Sequence, residues 1–183
     1  MKNLKVAFVL AILVAAATMA ARAQNQIFVP GNASGFFGNP ADEMNPLVSA
    51  ITVTGPGNIT VTYDSGKVTD AGGIDTGPDG VPCKNCAQLP LEEAKGTWNN
   101  VRAPHLDALI GVFVPASRVN QSGFAAVDGT KGVVPVGIMP NGLFFIGTGK
   151  TFPVTEAGTL YLGINDYAVG DNGGGFNVTV SVQ

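Results

Sequence analysis

The chain has 183 residues and a formal net charge of −3; only 13% of its residues are charged, 45% are hydrophobic, and glycine and proline number 25 and 12. That many turn formers against so few Lys, Glu and Arg exclude a helical bundle, and the hydrophobic content excludes disorder, whose signature is high charge with low hydrophobicity. A chain of this length is about one domain and buries enough surface to fold without an obligatory metal or disulfide.

Residues 1–23 read as a secretory signal peptide. Lys2 and Lys5 give a basic start, Val6 to Ala17 an apolar run, and Ala21-Arg22-Ala23 a small-x-small cleavage site. The run is short for ~30 Å of hydrocarbon and Arg22 closes it, so the expectation is an exported protein, secreted or periplasmic, with no membrane association after cleavage. Loss of Lys2, Lys5 and Arg22 leaves seven basic residues against thirteen acidic ones, a net charge of −6. A dispersed acidic surface excludes nucleic acid and anionic membrane as partners and suits cations and neutral ligands. In an exported protein Cys83 and Cys86, in Cys-Lys-Asn-Cys, are by default a disulfide. Pro82 and Pro90 leave no helix N-terminus for a redox pair, and zinc would need two more ligands where His105 is the only His.

In chain order, residues 24–46 are rich in Gly, Asn and Pro and read as an irregular N-terminal arm whose Phe28, Phe36 and Phe37 pack on the domain. Ile51 and Val53, then Ile59, Val61 and Tyr63, alternate with polar residues about Gly55-Pro56-Gly57-Asn58, which predicts a β-hairpin. Gly66 to Gly80 reads as a polar loop. Residues 81–104 lack periodicity, with one or two helical turns over Leu89 to Lys95. Asp107 to Val114 is a nearly continuous apolar run, fit for a strand buried on both faces or for a tight small-residue contact. Residues 115–142 are punctuated by Gly and Pro, with weak strands around Val133 to Ile138. Leu143 to Gly147, Thr151 to Val154, Leu160 to Ile164 and Phe176 to Val182 read as strands. Many short strands and regular turn signals predict an all-β fold, an antiparallel β-sandwich of jelly-roll type, over residues 47–183.

Between the last two strands lies Asn165-Asp166-Tyr167-Ala168-Val169-Gly170-Asp171-Asn172-Gly173-Gly174-Gly175. Two carboxylates, two carboxamides and inward-turning carbonyls meet the six to eight oxygens that Ca²⁺ asks for. The same Asn, Asp and Gly residues also favour an ordinary turn without metal. Asp70 to Gly80 is a second acidic loop, but with Asp75 as first ligand Gly77 and Cys86 fall where an EF-hand needs a side-chain ligand and its closing Glu. It is left with a carbonyl or carboxylate to lend to a site built elsewhere.

Four ordered blocks, Asp107-Ala108-Leu109-Ile110-Gly111, Leu143-Phe144-Phe145-Ile146-Gly147, Gly158 to Asp166 and Asp171 to Val180, resemble the PA-IL-like galactophilic lectins of bacteria; with a weaker match of Ile59 to Gly80 the resemblance spans about residues 47–183. It implies a galactose-binding-type β-sandwich, lectin-like over 47–183, in which one Ca²⁺ bridges protein and sugar. The implied metal ligands are the side chains of Asp166, Asp171 and Asn172, with backbone carbonyls near Asp70 and Val169. Sugar hydroxyls enter the calcium shell while Asp166 and Asp171 accept their hydrogen bonds. Relative to that family the 166–171 loop is shorter, Gly173-Gly174-Gly175 replaces a Ser-bearing turn as a more flexible support, and residues 81–104 are inserted where the sugar-contacting His and Gln would lie.

No catalytic constellation is visible. His105 has no Gly-x-Ser-x-Gly or Cys-His framework beside it and reads as a loop residue. Glu92 and Glu93 are sequence neighbours, whereas glycosidase carboxylates face each other across a substrate. Trp98 and Tyr167 offer rings to a sugar face, Tyr167 with the better claim because it lies inside the loop. The expectation is a non-enzymatic, calcium-dependent lectin-like protein binding a galactose-containing glycan or other neutral sugar through Asp166, Tyr167 and Asp171, and compatible with oligomerisation. The alternative is an exported structural or adhesive β-sandwich in which calcium only stabilises a loop and the partner is a protein.

Overall fold

The computed structural model describes residues 24–33, 47–83, 96–98, 101–103, 105–118, 125–126, 133–134, 143–166 and 168–183. The expected signal peptide, Phe36, Phe37, the turns over Leu89 to Lys95, Glu92, Glu93, Tyr167 and Cys86 lie outside them, and with Cys86 the expected bridge to Cys83. Among the described residues no helix is long and apolar enough to cross a membrane.

The protein is all-β and antiparallel. Its strands in chain order are β1 Gln24–Pro30, β2 Val48–Val53, β3 Gly57–Thr69, β4 Asp75–Thr76, β5 Val81–Pro82, β6 Gly96–Trp98, β7 Val101–Ala103, β8 His105–Leu106, β9 Leu109–Pro115, β10 Ala125–Ala126, β11 Val133–Val134, β12 Leu143–Phe145, β13 Gly149–Val154, β14 Gly158–Ile164 and β15 Gly173–Val182. One sheet runs β1-β15-β3-β13, with β4 added to β3, and the other runs β12-β9-β14-β2. Three two-stranded ladders, β5-β8, β6-β7 and β10-β11, complete the described pairings.

Period-2 patterning explains the core between the sheets. Val29, Ile59, Val61, Val68, Phe176, Val178 and Val180 point inward from the first sheet, and Ile51, Val53, Leu109, Leu160, Leu162 and Ile164 from the second. Strand β9 is apolar along its whole length for the reason expected: its other face buries Val112 and Val114 in a smaller cluster with Leu47 and Tyr161. The small-residue contact is also present, because a Cβ on Gly111 would come within 2.8 Å of Ile146.

Four local expectations are corrected. The arm is not irregular throughout, since Gln24–Pro30 is an edge strand paired along its length with β15, Gln24 opposite Ser181 and Pro30 opposite Gly175. Its Gln and Asn have weak strand preference, but the unpaired edge of β15 supplies the hydrogen-bonding partner and Val29 the core contact. Second, β2 and β3 do not form a hairpin: β2 pairs with β14, and β3 with β13, β15 and β4. Alternation marks a half-buried strand without naming its partner, and here the turn carries the chain from one sheet to the other. Third, the expected loop from Gly66 begins as strand, because β3 continues to Thr69 opposite Gly173, past a register shift at Asn177/Val178.

Fourth, Gly173-Gly174-Gly175 is not a flexible support but the first part of β15, inserted between β1 and β3. Gly174 and Gly175 have φ of 71° and 153°, and a Cβ on Gly174 would collide with the Lys67 carbonyl, one on Gly175 with the Val29 carbonyl. Only glycine takes that backbone at that spacing. Gly174→Ala should therefore lower stability by about 2 kcal/mol, read as a drop in the urea midpoint at unchanged slope; a variant as stable as the parent would contradict the crowding argument.

Candidate metal centre

One end of the sandwich gathers the residues that carry chemistry. β3 finishes there at Thr69, β14 finishes at Ile164, and β9 and β15 start there at Leu109 and Gly173. The registers Thr69 to Gly173 and Ile164 to Leu109 bring these ends side by side within each sheet. The 165–172 segment is thus a crossover from the second sheet to the first, not a hairpin loop, and Asp70 and Asp107 flank it from the adjoining strand ends.

The crossover is held by its own polar groups. Asn165 donates from its backbone to the Ala108 carbonyl at 2.9 Å and from its side chain to the His105 carbonyl at 2.8 Å, while its own carbonyl accepts the Asp107 N–H at 3.1 Å. Asp166, 8% exposed, accepts the Ala168 N–H on one carboxylate oxygen at 3.2 Å and the Asn172 amide on the other at 3.0 Å. A single 3-10 turn, Val169–Asp171, follows. The Val169 side chain is buried and its carbonyl accepts the Asn172 N–H at 3.2 Å, whereas Asp171 is exposed. Asp70 closes its own turn, its carboxylate accepting the Ile74 N–H at 2.9 Å and its carbonyl the Gly73 N–H at 2.9 Å. That carbonyl keeps a second lone pair.

Asn172 is the hub. Its amide nitrogen lies 3.0 Å from Asp166 Oδ2, 3.2 Å from Asp107 Oδ1 and 3.2 Å from the Gly31 carbonyl, three acceptors for two hydrogens. Its Oδ1 is buried with no hydrogen-bond partner, as is Asp107 Oδ2. Asp107 is fully buried and is the one non-glycine residue with positive φ, 60°, among the described residues. Burial pushes its carboxyl up to about 7, the charge of Asp166 adds to the rise, the Asn172 hydrogen bond opposes it, and Asp70 and Asp171 push it further up.

Of the five expected metal residues, Asp166, Val169 and Asn172 are thus joined by hydrogen bonds, and Asp70 and Asp171 lie near enough to act electrostatically on Asp107. Tyr167 is outside the described residues. Asp107 and the Gly31 carbonyl were not legible as site groups. The available signal for Asp107 was a lone acid opening an otherwise apolar run; a backbone carbonyl carries no side-chain signal at all. Among the described residues no group of three or more His, Cys, Asp or Glu side chains is arranged to hold a metal ion. Any cation here therefore relies on carboxamide and carbonyl oxygens as well. The donors around Asn172 are all oxygens, two of the buried ones unpartnered, which fits a hard cation such as Ca²⁺ better than zinc.

The other candidates are engaged elsewhere. Asp75 pairs with Lys67, whose hydrogen bond, with that of Thr69, holds its carboxyl below the usual carboxylate range. His105 is in β8 rather than in a loop: its Nδ1 donates to the Asp79 carbonyl and its ring stands edge-on to Phe145 at 5.7 Å. Its backbone carbonyl accepts the Asn165 side-chain amide and so ties β8 to the crossover. Trp98 lies in β6, away from the 165–172 segment in sequence and in sheet pairing.

No protein-family model and no curated protein matches the chain. Among solved structures it is similar to one described as "EclA N-terminal domain; PllA-like lectin", at 17% identity and a TM-score of 0.42, over 87% of this chain and 95% of that one. So distant a likeness carries no argument about function, and the reading below rests on the site.

Proposed function

We propose that this is an exported, non-enzymatic, calcium-dependent carbohydrate-binding protein of galactose type. The observation that carries the reading is a cluster of the buried Asp107 and Asp166 with the half-buried Asn172, two of its oxygens, Asp107 Oδ2 and Asn172 Oδ1, lacking partners, at the end of a β-sandwich. Asp166, Asp171 and Asn172 would hold the ion by side chains, and Asp70 and Val169 by backbone carbonyls. The bound ion supplies electrostatic attraction for vicinal sugar hydroxyls. Asp166 and Asp171 accept hydrogen bonds from those hydroxyls, Tyr167 offers its ring, and the Ala168 N–H and the Asn172 amide fix the direction of the Asp166 carboxylate beforehand.

Galactose titrated into the purified protein with calcium present should give saturable binding that disappears in EDTA and returns on calcium addition. Absence of binding to any glycan in the calcium-loaded protein would remove the sugar half of the proposal. The near-complete burial of Asp107 and Asp166 favours a second reading, in which calcium only orders the crossover and the partner is a protein. In that case calcium raises the melting temperature while no sugar binds.

A further inference from the structure

A cleft on the solvent face of the first sheet shares no residue with the crossover. It has a volume of about 410 Å³ and opens across three strands, between Gln26 and Phe28 of β1, Asn177 of β15, and Asp64 and Ser65 of β3. That size falls within the range of about 300–1,000 Å³ usual for small-molecule sites. We propose that this cleft binds a neutral mono- or disaccharide, without the help of any metal ion.

The strand register builds it. Phe28 stands opposite Asn177, and Asn177 opposite Ser65, so these side chains form one row across the sheet; Gln26 opposite Thr179 begins the next. Between the rows β3 carries one residue more than β15, since Val178 pairs with Tyr63 and Asp64 is left over. A bulge re-aims the side chains beside it, and here the Asp64 carboxylate accepts the Thr179 hydroxyl at 2.7 Å.

The chemistry of the lining selects the ligand. Phe28 is 54% exposed, yet its ring is held against the sheet: a Cβ on Gly175 would come within 2.7 Å of it, so the ring rests on backbone that this glycine leaves bare. An exposed ring in a fixed place suits the apolar C–H surface of a sugar. Asn177 donates one amide hydrogen to the Ser65 hydroxyl at 3.2 Å. Among the described residues that leaves the Asn177 carbonyl oxygen, one Asp64 carboxylate oxygen and the Gln26 amide without partners in the cleft. Donors and acceptors then stand side by side, as sugar hydroxyls require, because each hydroxyl is both. No Lys, Arg or His lines the cleft, so an anion finds no counter-charge. A wholly apolar ligand would strip water from the amides and the carboxylate and replace none of its hydrogen bonds. The site uses neither the ion nor the crossover residues, so it stands apart from the calcium reading.

The test titrates lactose and maltose, separately, into purified isotope-labelled protein in EDTA, which removes calcium-dependent binding. At least one sugar should move the amide resonances of Gln26, Phe28, Ser65 and Asn177 along a saturable curve. Phe28→Ala should weaken that binding about tenfold, and Phe28→Tyr, which keeps the ring, should restore it. Should Phe28→Ala fail to fold, Gln26→Ala on the exposed wall replaces it and should weaken binding severalfold. Resonances that stay in place with both sugars, or that move only in residues 165–172, overturn the site. The same resonances moving with protein concentration alone would make the cleft a contact between copies of the chain, and overturn it as well. Calcium-dependent galactose binding is read with calcium present, so either proposal can fail without the other.

Discussion

Asp166→Ala should abolish calcium-linked stabilisation and galactoside binding together. Asp166 sits where β14 ends, bonds both the Ala168 N–H and the Asn172 amide, and is one of the side chains proposed to hold the ion and to accept a sugar hydrogen bond. Ligand binding to the folded state alone stabilises by mass action, about 4 kcal/mol at a thousandfold excess over the dissociation constant. For a domain of this size that is about 10 °C in melting temperature. The wild-type protein should show such a rise on calcium addition and the variant none. Asp166→Asn separates charge from shape, since it can still accept the Ala168 N–H while losing the charge; its NH2 replaces the oxygen that accepts the Asn172 amide, so it should bind calcium more weakly than wild type and melt somewhat below it in EDTA. An Asp166→Ala protein with the full calcium shift would place the ion elsewhere. A full wild-type shift without galactoside binding would select the structural or adhesive reading instead.

The second large effect is on pH dependence. Asp107 has its carboxyl raised from 3.8 to about 7 in the folded protein, chiefly by burial and then by the charge of Asp166. Below 3.8 the group is protonated in both folded and unfolded states and costs nothing. As pH rises from there to about 7 the unfolded chain releases the proton while the folded one retains it, so stability falls; above 7 both are ionised and the loss is complete. The size of the fall is about 4 kcal/mol, since each pKa unit is worth about 1.4 kcal/mol.

Urea unfolding in EDTA from pH 4 to 8 should show this fall, and Asp107→Asn should flatten it. Saturating calcium should oppose it, because the ion favours the ionised carboxylate, and calcium uptake near neutral pH should release protons. Asp75 acts in the opposite sense: its lowered carboxyl contributes stability above 3.8 that is lost as pH falls through its folded-state value. It is exposed and screened, so it does not mask the larger trend. Calcium-free stability that stays level or rises from pH 4 to 7 would show that Asp107 is not held in the buried, like-charged setting described.

Much of the site was legible because it is local. Asp166, Val169 and Asn172 lie within seven residues; composition and spacing marked their loop as acidic and Gly-rich, and the resemblance to the lectin family picked out the three residues that the fold joins by hydrogen bonds. Asp107 was visible only as the first residue of an apolar run. Nothing in its neighbourhood along the chain says that Asn172, 65 positions away, will turn its amide toward it. The glycines show the converse error: Gly173 to Gly175 looked like loop flexibility, yet their role is to let β15 pass between β1 and β3.

What the sequence by itself determined is most of the half-buried strands and the acidic, Gly-rich segment between the last two, because alternation and turn chemistry act over a few residues and need no partner. Tertiary structure decided which strands pair, so that β2 and β3 part company across a turn and Gln24–Pro30 becomes an edge strand; pairing depends on which neighbouring edge is open and which face meets the core. It also decided the charge of the site. A carboxylate titrates according to what surrounds it, and Asp107 becomes a buried acid among acids only when the ends of β3, β9, β14 and β15 are brought together.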